Sequence, residues 1–127
     1  MMRWVLDSNV WIEAVAGIPH ASNAVIKAGA ADWCGYSSIT RVEVFGFPRL
    51  APADEQRLGV LLGQFHEVLV STAVVEEAIR IRKLVKIKTP DALIAATALV
   101  EGAELITRNV ADFGRIPRLT VIDSMTL

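Results

Sequence analysis

The sequence predicts an α/β domain, a parallel sheet of about five strands with helices on both faces, and three observations predict it. Short apolar runs alternate along the chain with longer stretches of helical period, the pattern of strand–crossover–strand units. Hydrophobic residues make up 53% of the 127, enough for a substantial core and too many for a disordered chain. No linker, internal repeat or low-complexity tract interrupts them, so residues 1–127 read as one domain of ordinary size.

Trp4–Leu6 reads as the first strand, and Val10–Ala16 as a helix opened by the polar pair Ser8-Asn9. The break at Gly17-Ile18-Pro19 precedes a second helix over Ser22–Ala28. Asp32–Tyr36 is the next strand, followed by a short helix over Thr40–Phe45 that Gly46-Phe47-Pro48 ends. Pro52 stands where helices begin, and Asp54 and Glu55 suit the positive end of a helix dipole, so Pro52–Phe65 is a helix. Glu67–Val70 is a strand and Thr72–Val85 an amphipathic helix. Thr89-Pro90-Asp91 opens a helix running to about Glu101, with Thr89 as N-cap and Pro90 at the first position. Ala103–Thr107 and Leu119–Ile122 complete the sheet. Open parallel sheets bind ligands outside the carboxyl ends of their strands, so the polar residues that fall there decide the question of function.

Composition narrows the classes. The longest apolar stretch, Ala92–Val100, falls far short of the ~18 residues of a membrane span, and Asp7 arrives too early for a secretory leader. A soluble, cytoplasmic protein is expected. Cys34 is the one cysteine, so no internal disulfide or thiolate metal site can form, and it reads as a buried apolar residue. His20 and His66 lack metal-ligand spacing, so any metal must be held by oxygen. A net charge of −1 argues against coating nucleic acid nonspecifically, and leaves room for an enzyme that holds a short stretch of it.

Four acids fall at the expected junctions, each with an ordinary structural alternative. Asp7 follows the first strand directly and suits a helix cap, although Ser8 could serve equally, and an acid on a buried strand edge is costly unless paired. Thr40 and Glu43 have the spacing of a capping box, on a short helix whose first turn also faces the cleft. Asp91 gains roughly 0.3–1 kcal/mol from the dipole of its helix. That helix is apolar nearly all round from Ala92 to Val100 and should be buried, so Asp91 also marks where a core helix emerges. Asp112 follows the Ala103–Thr107 strand, as a loop or short-helix cap would, and Asn109 fits the same role.

If the sheet is parallel, these junctions converge on one edge. Carboxylates a few ångström apart repel, and some must be protonated unless a cation sits among them. Mg²⁺ or Mn²⁺ is the natural ion, because it prefers oxygen ligands and keeps several waters. Such an ion polarises a phosphoryl oxygen and acidifies a water, so the implied chemistry is phosphodiester hydrolysis.

At four segments the chain resembles the PIN-domain ribonucleases, and most closely the VapC-type toxins. These are Leu6-Asp7-Ser8-Asn9-Val10, Ser38-Ile39-Thr40-Arg41-Val42-Glu43-Val44, Lys88-Thr89-Pro90-Asp91-Ala92-Leu93-Ile94-Ala95-Ala96-Thr97-Ala98 and Leu105-Ile106-Thr107-Arg108-Asn109-Val110-Ala111-Asp112-Phe113. The third and fourth are the specific ones. Val44-Phe45-Gly46-Phe47-Pro48 departs from many members by bringing Gly sooner, which leaves the substrate-facing loop open to difference.

The resemblance implies a PIN-like three-layer sandwich and an endoribonuclease, the toxin of a toxin–antitoxin pair. It further implies that Asp7, Glu43, Asp91 and Asp112 hold one or two Mg²⁺ or Mn²⁺ ions, with Thr107 and Asn109 supporting them by hydrogen bonds. A homodimer and a small VapB-like antitoxin that covers the groove belong to the same expectation.

Arg80, Arg82, Lys83 and Lys86 fall on one broad side of the 72–85 helix, which is the ordinary pattern of a solvated face. Lys88, Arg41 and Arg108 are the candidate phosphate contacts, which would position RNA without reading its sequence. Trp4, Trp11 and Trp33 could stack on bases, but tryptophan at strand and helix positions usually belongs to the core. Val10, Ile12, Val15, Val25 and Ile26 describe either a dimer or antitoxin face or packing against the sheet.

Three rivals remain: a PIN-like binding module without chemistry, a phosphotransfer or phosphatase domain, and a PIN nuclease of RNA processing without an antitoxin. The second fares badly. Asn9 replaces the second Asp that haloacid-dehalogenase chemistry needs, and Ser71-Thr72 stand where a receiver domain needs an acid.

Overall fold

Five strands form one sheet in the computed structural model, which describes residues 1–127. They are β1 (Arg3–Leu6), β2 (Trp33–Ser37), β3 (His66–Val68), β4 (Glu104–Thr107) and β5 (Val121–Asp123). Their order across the sheet is β3-β2-β1-β4-β5, and every neighbouring pair is parallel. The helices are α1 (Ser8–Val15), α2 (Pro19–Gly29), α3 (Ser38–Phe45), α4 (Pro52–Leu62), α5 (Thr72–Leu84), α6 (Thr89–Val100) and α7 (Val110–Phe113). None is long and apolar enough to cross a membrane.

The period of two along the strands sorts the core into two layers. Trp4, Leu6, Cys34, Tyr36 and Ile106 face α1, α2 and α4, packing with Val10, Trp11, Ala24 and Leu58. Val5 and Leu105 face the other way, onto Val74 and Ile81 of α5, Ile94 and Ala98 of α6 and Phe113 of α7. Helix α6 is buried along Ala92 and Ile94–Ala98, as its composition predicts. Trp11 is fully buried and meets Phe65 edge to face at 5.0 Å, while Trp33 stacks on His66 with the Arg3 guanidinium over its ring. The tryptophans are therefore structural. Val10 and Val25 also belong to the core, so of the proposed N-terminal contact face only Ile26 stands well exposed.

Several element ends differ from the sequence reading, each for a local reason. Pro19 itself opens α2 at the first helical position, where its missing N–H costs nothing. Helix α4 stops at Leu62, because the chain turns at Gly63 to return Phe65 to Trp11. β3 ends at Val68, and the Val70 amide donates to the Ser38 hydroxyl instead of continuing a ladder. β5 starts only at Val121, after Arg118 has taken a left-handed φ of 68°.

The strand order positions the site. Strands β1 to β3 build outward in one direction and β4 to β5 in the other, so the topology reverses between β1 and β4. Helices leave opposite faces of the sheet at such a point and open a crevice at the carboxyl ends of those two strands.

Gly35 is a sensitive position in this frame. A Cβ there would stand 2.8 Å from the backbone carbonyl oxygen of His66 and 2.5 Å from the Trp33 ring. The ring can shift but the paired strand cannot, so Gly35→Ala is expected to cost about 1–3 kcal/mol, measured by urea unfolding.

Candidate active site

The last residue of β1, Leu6, pairs with Ile106, and the Asp7 amide extends the contact by donating to the Ile106 carbonyl at 3.0 Å. This sets Asp7 beside Thr107 in the crevice. Its Oδ1 accepts from the Ser8 amide at 2.7 Å, which makes Asp7 the N-cap of α1, and its Oδ2 accepts from the Thr107 hydroxyl at 2.9 Å. The Thr107 oxygen in turn accepts from the Asn109 amide at 2.9 Å. Capping and site chemistry thus fall on one carboxylate, which is 5% exposed.

Asp7, Asp91 and Asp112 line a single cleft of about 620 Å³, together with Asn9, Asn109, Arg82, Lys86, Ile87, Lys88 and Arg115. Asp112 lies in the one-turn helix α7 and accepts from the Asn109 side-chain amide at 2.8 Å. Asp91 lies in the first turn of α6. Lys88 is the N-cap residue there and Thr89 the first helical one, one position off the sequence reading, because the Thr89 hydroxyl accepts from Arg82 at 2.9 Å instead of capping.

Glu43 is not in the cleft wall. Its Oε1 accepts from the Ser8 hydroxyl at 2.7 Å, and the Ser8 and Thr40 hydroxyls lie 2.9 Å apart. The capping box of the sequence reading does not form. Ser37 caps α3 by accepting from the Ile39 amide, which moves Thr40 into the helix and frees Glu43 to reach α1.

The acids sense one another. Burial first, then the Asp91 and Glu43 charges, push the Asp7 carboxyl up to about 6 against the opposing Thr107 and Ser8 hydrogen bonds. Burial also raises Asp91, followed by the Glu43 and Asp112 charges, with Lys88 opposing. None of these four carboxylates forms an ion pair with a base. Arg82, Lys86, Lys88 and Arg115 stand in the same cleft without an acid partner of their own.

The donors that face the cleft are oxygens, which suits a hard divalent cation. No three His, Cys, Asp or Glu side chains close into a preformed cage for an ion. Mg²⁺ needs no such cage, since it usually keeps several waters and binds one or two carboxylates directly. The residues therefore fit a hydrated ion that relieves the charge on Asp7 and Asp91.

Of the candidate phosphate contacts, Lys88 lines the cleft. Arg41 pairs with Glu67 at 3.5 Å and Arg108 with Glu13 at 3.8 Å, and neither lines the cleft. Sequence reasoning missed Arg115, which donates to the Lys86 carbonyl at 2.9 Å and reaches the cleft from the segment after α7. Arg82 and Lys86 were legible only as part of a charged run.

Fold and site together define a class, an α/β domain that gathers acids where a parallel sheet reverses its order. A family model described as PIN domain matches residues 4–119, and the chain belongs to that family. It is 34% identical to a chain of a toxin–antitoxin complex from Klebsiella pneumoniae, over 94% of this chain and 96% of that one, with a TM-score of 0.80. Its fold is also that of VapBC2 from Rickettsia felis bound to a promoter DNA fragment (24% identity, 95% and 98% covered, TM-score 0.81). FitAcB from Neisseria gonorrhoeae shares it as well (20% identity, 98% and 99% covered, TM-score 0.79). No curated protein sequence matches the chain.

The raised Asp7 value has a consequence for stability. The folded chain holds a proton on Asp7 between about pH 4 and about pH 6 that the unfolded chain has lost, so the metal-free protein loses stability as pH rises through that window. The cost at pH 7 is of the order of 1–3 kcal/mol. Asp7→Asn is expected to raise the Tm of the metal-free chain by several degrees at pH 7 and by little at pH 4. Calorimetry at both pH values checks this, and a lower Tm at pH 7 would mean that the carboxylate's hydrogen bonds outweigh its burial.

Proposed function

We propose that the chain is a Mg²⁺- or Mn²⁺-dependent endoribonuclease, the toxin of a VapBC-type toxin–antitoxin pair. One observation carries the reading: three acids without counter-ions and four bases without acid partners share a single polar cleft. The acids suit a cation and the bases suit phosphates, and a phosphodiester backbone presents both needs at once.

Asp7, Asp91 and Asp112 would hold the ion, with Glu43 close enough to add its charge. A divalent ion there supplies Lewis acidity toward a phosphoryl oxygen and lowers the pKa of a water. Ser8 and Thr107 keep the Asp7 carboxylate in one orientation, and Asn109 does the same for Asp112. Lys88, Arg82, Lys86 and Arg115 would take the phosphates. The burial that raises Asp7 and Asp91 also means that displacing their protons by an ion depends on pH, so metal affinity should fall as pH drops through about 6.

The antitoxin partner is supported by the 34% identical relative, which was solved in a toxin–antitoxin complex. A homodimer is supported by the exposed apolar side chains Val42 on α3, Leu69 after β3, and Val75 and Ile79 one turn apart on α5. Such exposure suits association.

The test is cleavage of RNA by the purified chain with Mg²⁺ or Mn²⁺, its loss on chelation and its return on adding metal back. Asp91→Asn is nearly isosteric and is expected to keep the Tm while lowering cleavage by about a hundredfold or more, the several kcal/mol that a positioned ion supplies. Intact RNA at several metal concentrations with folded protein would favour a binding module, and unchanged cleavage by the variant would remove Asp91 from the site. Growth arrest on expression, relieved by a small co-expressed partner, tests the toxin assignment.

A further inference from the structure

The cleft does not end at Arg82 and Lys86. With Ile87, these residues also wall an adjoining cavity of about 380 Å³ around the end of α5. That cavity shares Lys83 and Leu84 with another of about 280 Å³, which Glu77, Arg80 and Arg118 line. Through these shared residues the three depressions adjoin in a path of neighbours, from the acid cleft, round the C-terminal end of α5, to the turn that precedes β5.

The wall of the third depression is mainly apolar, and the charged side chains along the path beyond the cleft are mostly basic. Beyond the cleft its one acid is Glu77, which is 7% exposed and already saturated: Arg118 donates to Oε1 at 2.8 Å and Arg80 Nε to Oε2 at 3.1 Å. One buried carboxylate against two guanidiniums and the exposed, unpaired Lys83 leaves an excess of positive charge at the far end. The helix dipole accounts for basic residues in the last turn of α5, which are Arg82 and Lys83. It does not account for Arg115 and Arg118, which arrive from a different segment. Arg118 does so with a left-handed backbone that non-glycine residues seldom adopt.

We propose that this path is a second, non-catalytic site for an RNA strand, binding the phosphates that flank those in the cleft. The inference rests on the ribonuclease reading above. Two separate segments bring basic side chains to adjoining depressions whose one acid beyond the cleft is neutralised within the fold, and that excess of cations suits a polyanion. Contacts of this kind position a strand without reading its bases. The path therefore sets how long an RNA must be for efficient cutting, not which sequence is cut.

The test compares RNA oligonucleotides of about four and about sixteen nucleotides, using the full chain and a Lys83→Gln/Arg118→Gln variant. Cleavage is measured on both, and binding of the long RNA is measured across a salt series with Asp91→Asn added to prevent cutting. The double variant is expected to bind the long RNA roughly tenfold more weakly. The slope of log affinity against log salt should fall by about 0.7 for each cation removed. kcat/KM on the short RNA should be unchanged. Equal loss on both lengths, or an unchanged slope with the long RNA, overturns the proposal; in the latter case an acidic protein segment becomes the better occupant. If the Tm of the double variant falls, Lys83→Gln alone, which removes no partner, must still lower the slope by about 0.7. Failure of the unaltered chain to bind or cut either RNA would instead overturn the ribonuclease reading itself.

Discussion

A carboxylate is held at the bottom of the crevice where the sheet reverses, and the rest of the site depends on how it is held. Asp7 accepts from the Ser8 amide on one oxygen and from the Thr107 hydroxyl on the other. The first bond starts α1 and the second ties that start to the end of β4. Two segments a hundred residues apart in sequence are joined through a group that the fold has almost removed from water. Hydrogen bonds to a carboxylate stabilise its charged form, yet burial and the neighbouring acids prevail, and the proton affinity of Asp7 rises. That residual strain in charge is what a cation can use.

Around Asp7 the opposite charges are kept apart by structure. Asp91 is fixed because α6 behind it is buried at Ala92 and from Ile94 to Ala98. The basic residues sit on the end of α5, on the connection into α6 and, for Arg115, after α7; the connection is tied down twice, by Arg82 at the Thr89 hydroxyl and by Arg115 at the Lys86 carbonyl. Both guanidiniums thus spend part of their donor capacity on the chain itself. This holds them near the acids without a contact short enough to neutralise either side.

What was legible in the sequence follows from where each signal is written. Asp7 and Thr107 each end a short apolar run, so adjacency alone puts them at strand ends, and the apolar stretch from Ala92 announces a buried helix with Asp91 at its mouth. Strand order across the sheet has no local signature, so the crevice between β1 and β4 became visible only with the pairing of Leu6 with Ile106. Caps were less legible than helices. Thr40 and Thr89 both have the right residue type at the right spacing, but Ser37 and Arg82 compete for the same geometry and prevail. Arg41 and Arg108 stand inside segments that carry the resemblance, yet each pairs with an acid distant in sequence, Glu67 and Glu13, and neither lines the cleft. Arg115 had no periodic context, because a backbone carbonyl of another segment positions it.

The bridge between α1 and α3 has a directional character. A serine hydroxyl carries one proton, and Ser8 gives it to Glu43, so the 2.9 Å contact with Thr40 must run from threonine to serine. The sequence Thr40 to Ser8 to Glu43 is therefore a polarised wire with its negative terminus at the carboxylate. Removing the acceptor oxygen of Glu43 would let the hydroxyls turn round and would loosen the grip between the two helices, so the alignment of the first and third helices hangs on a single carboxylate oxygen.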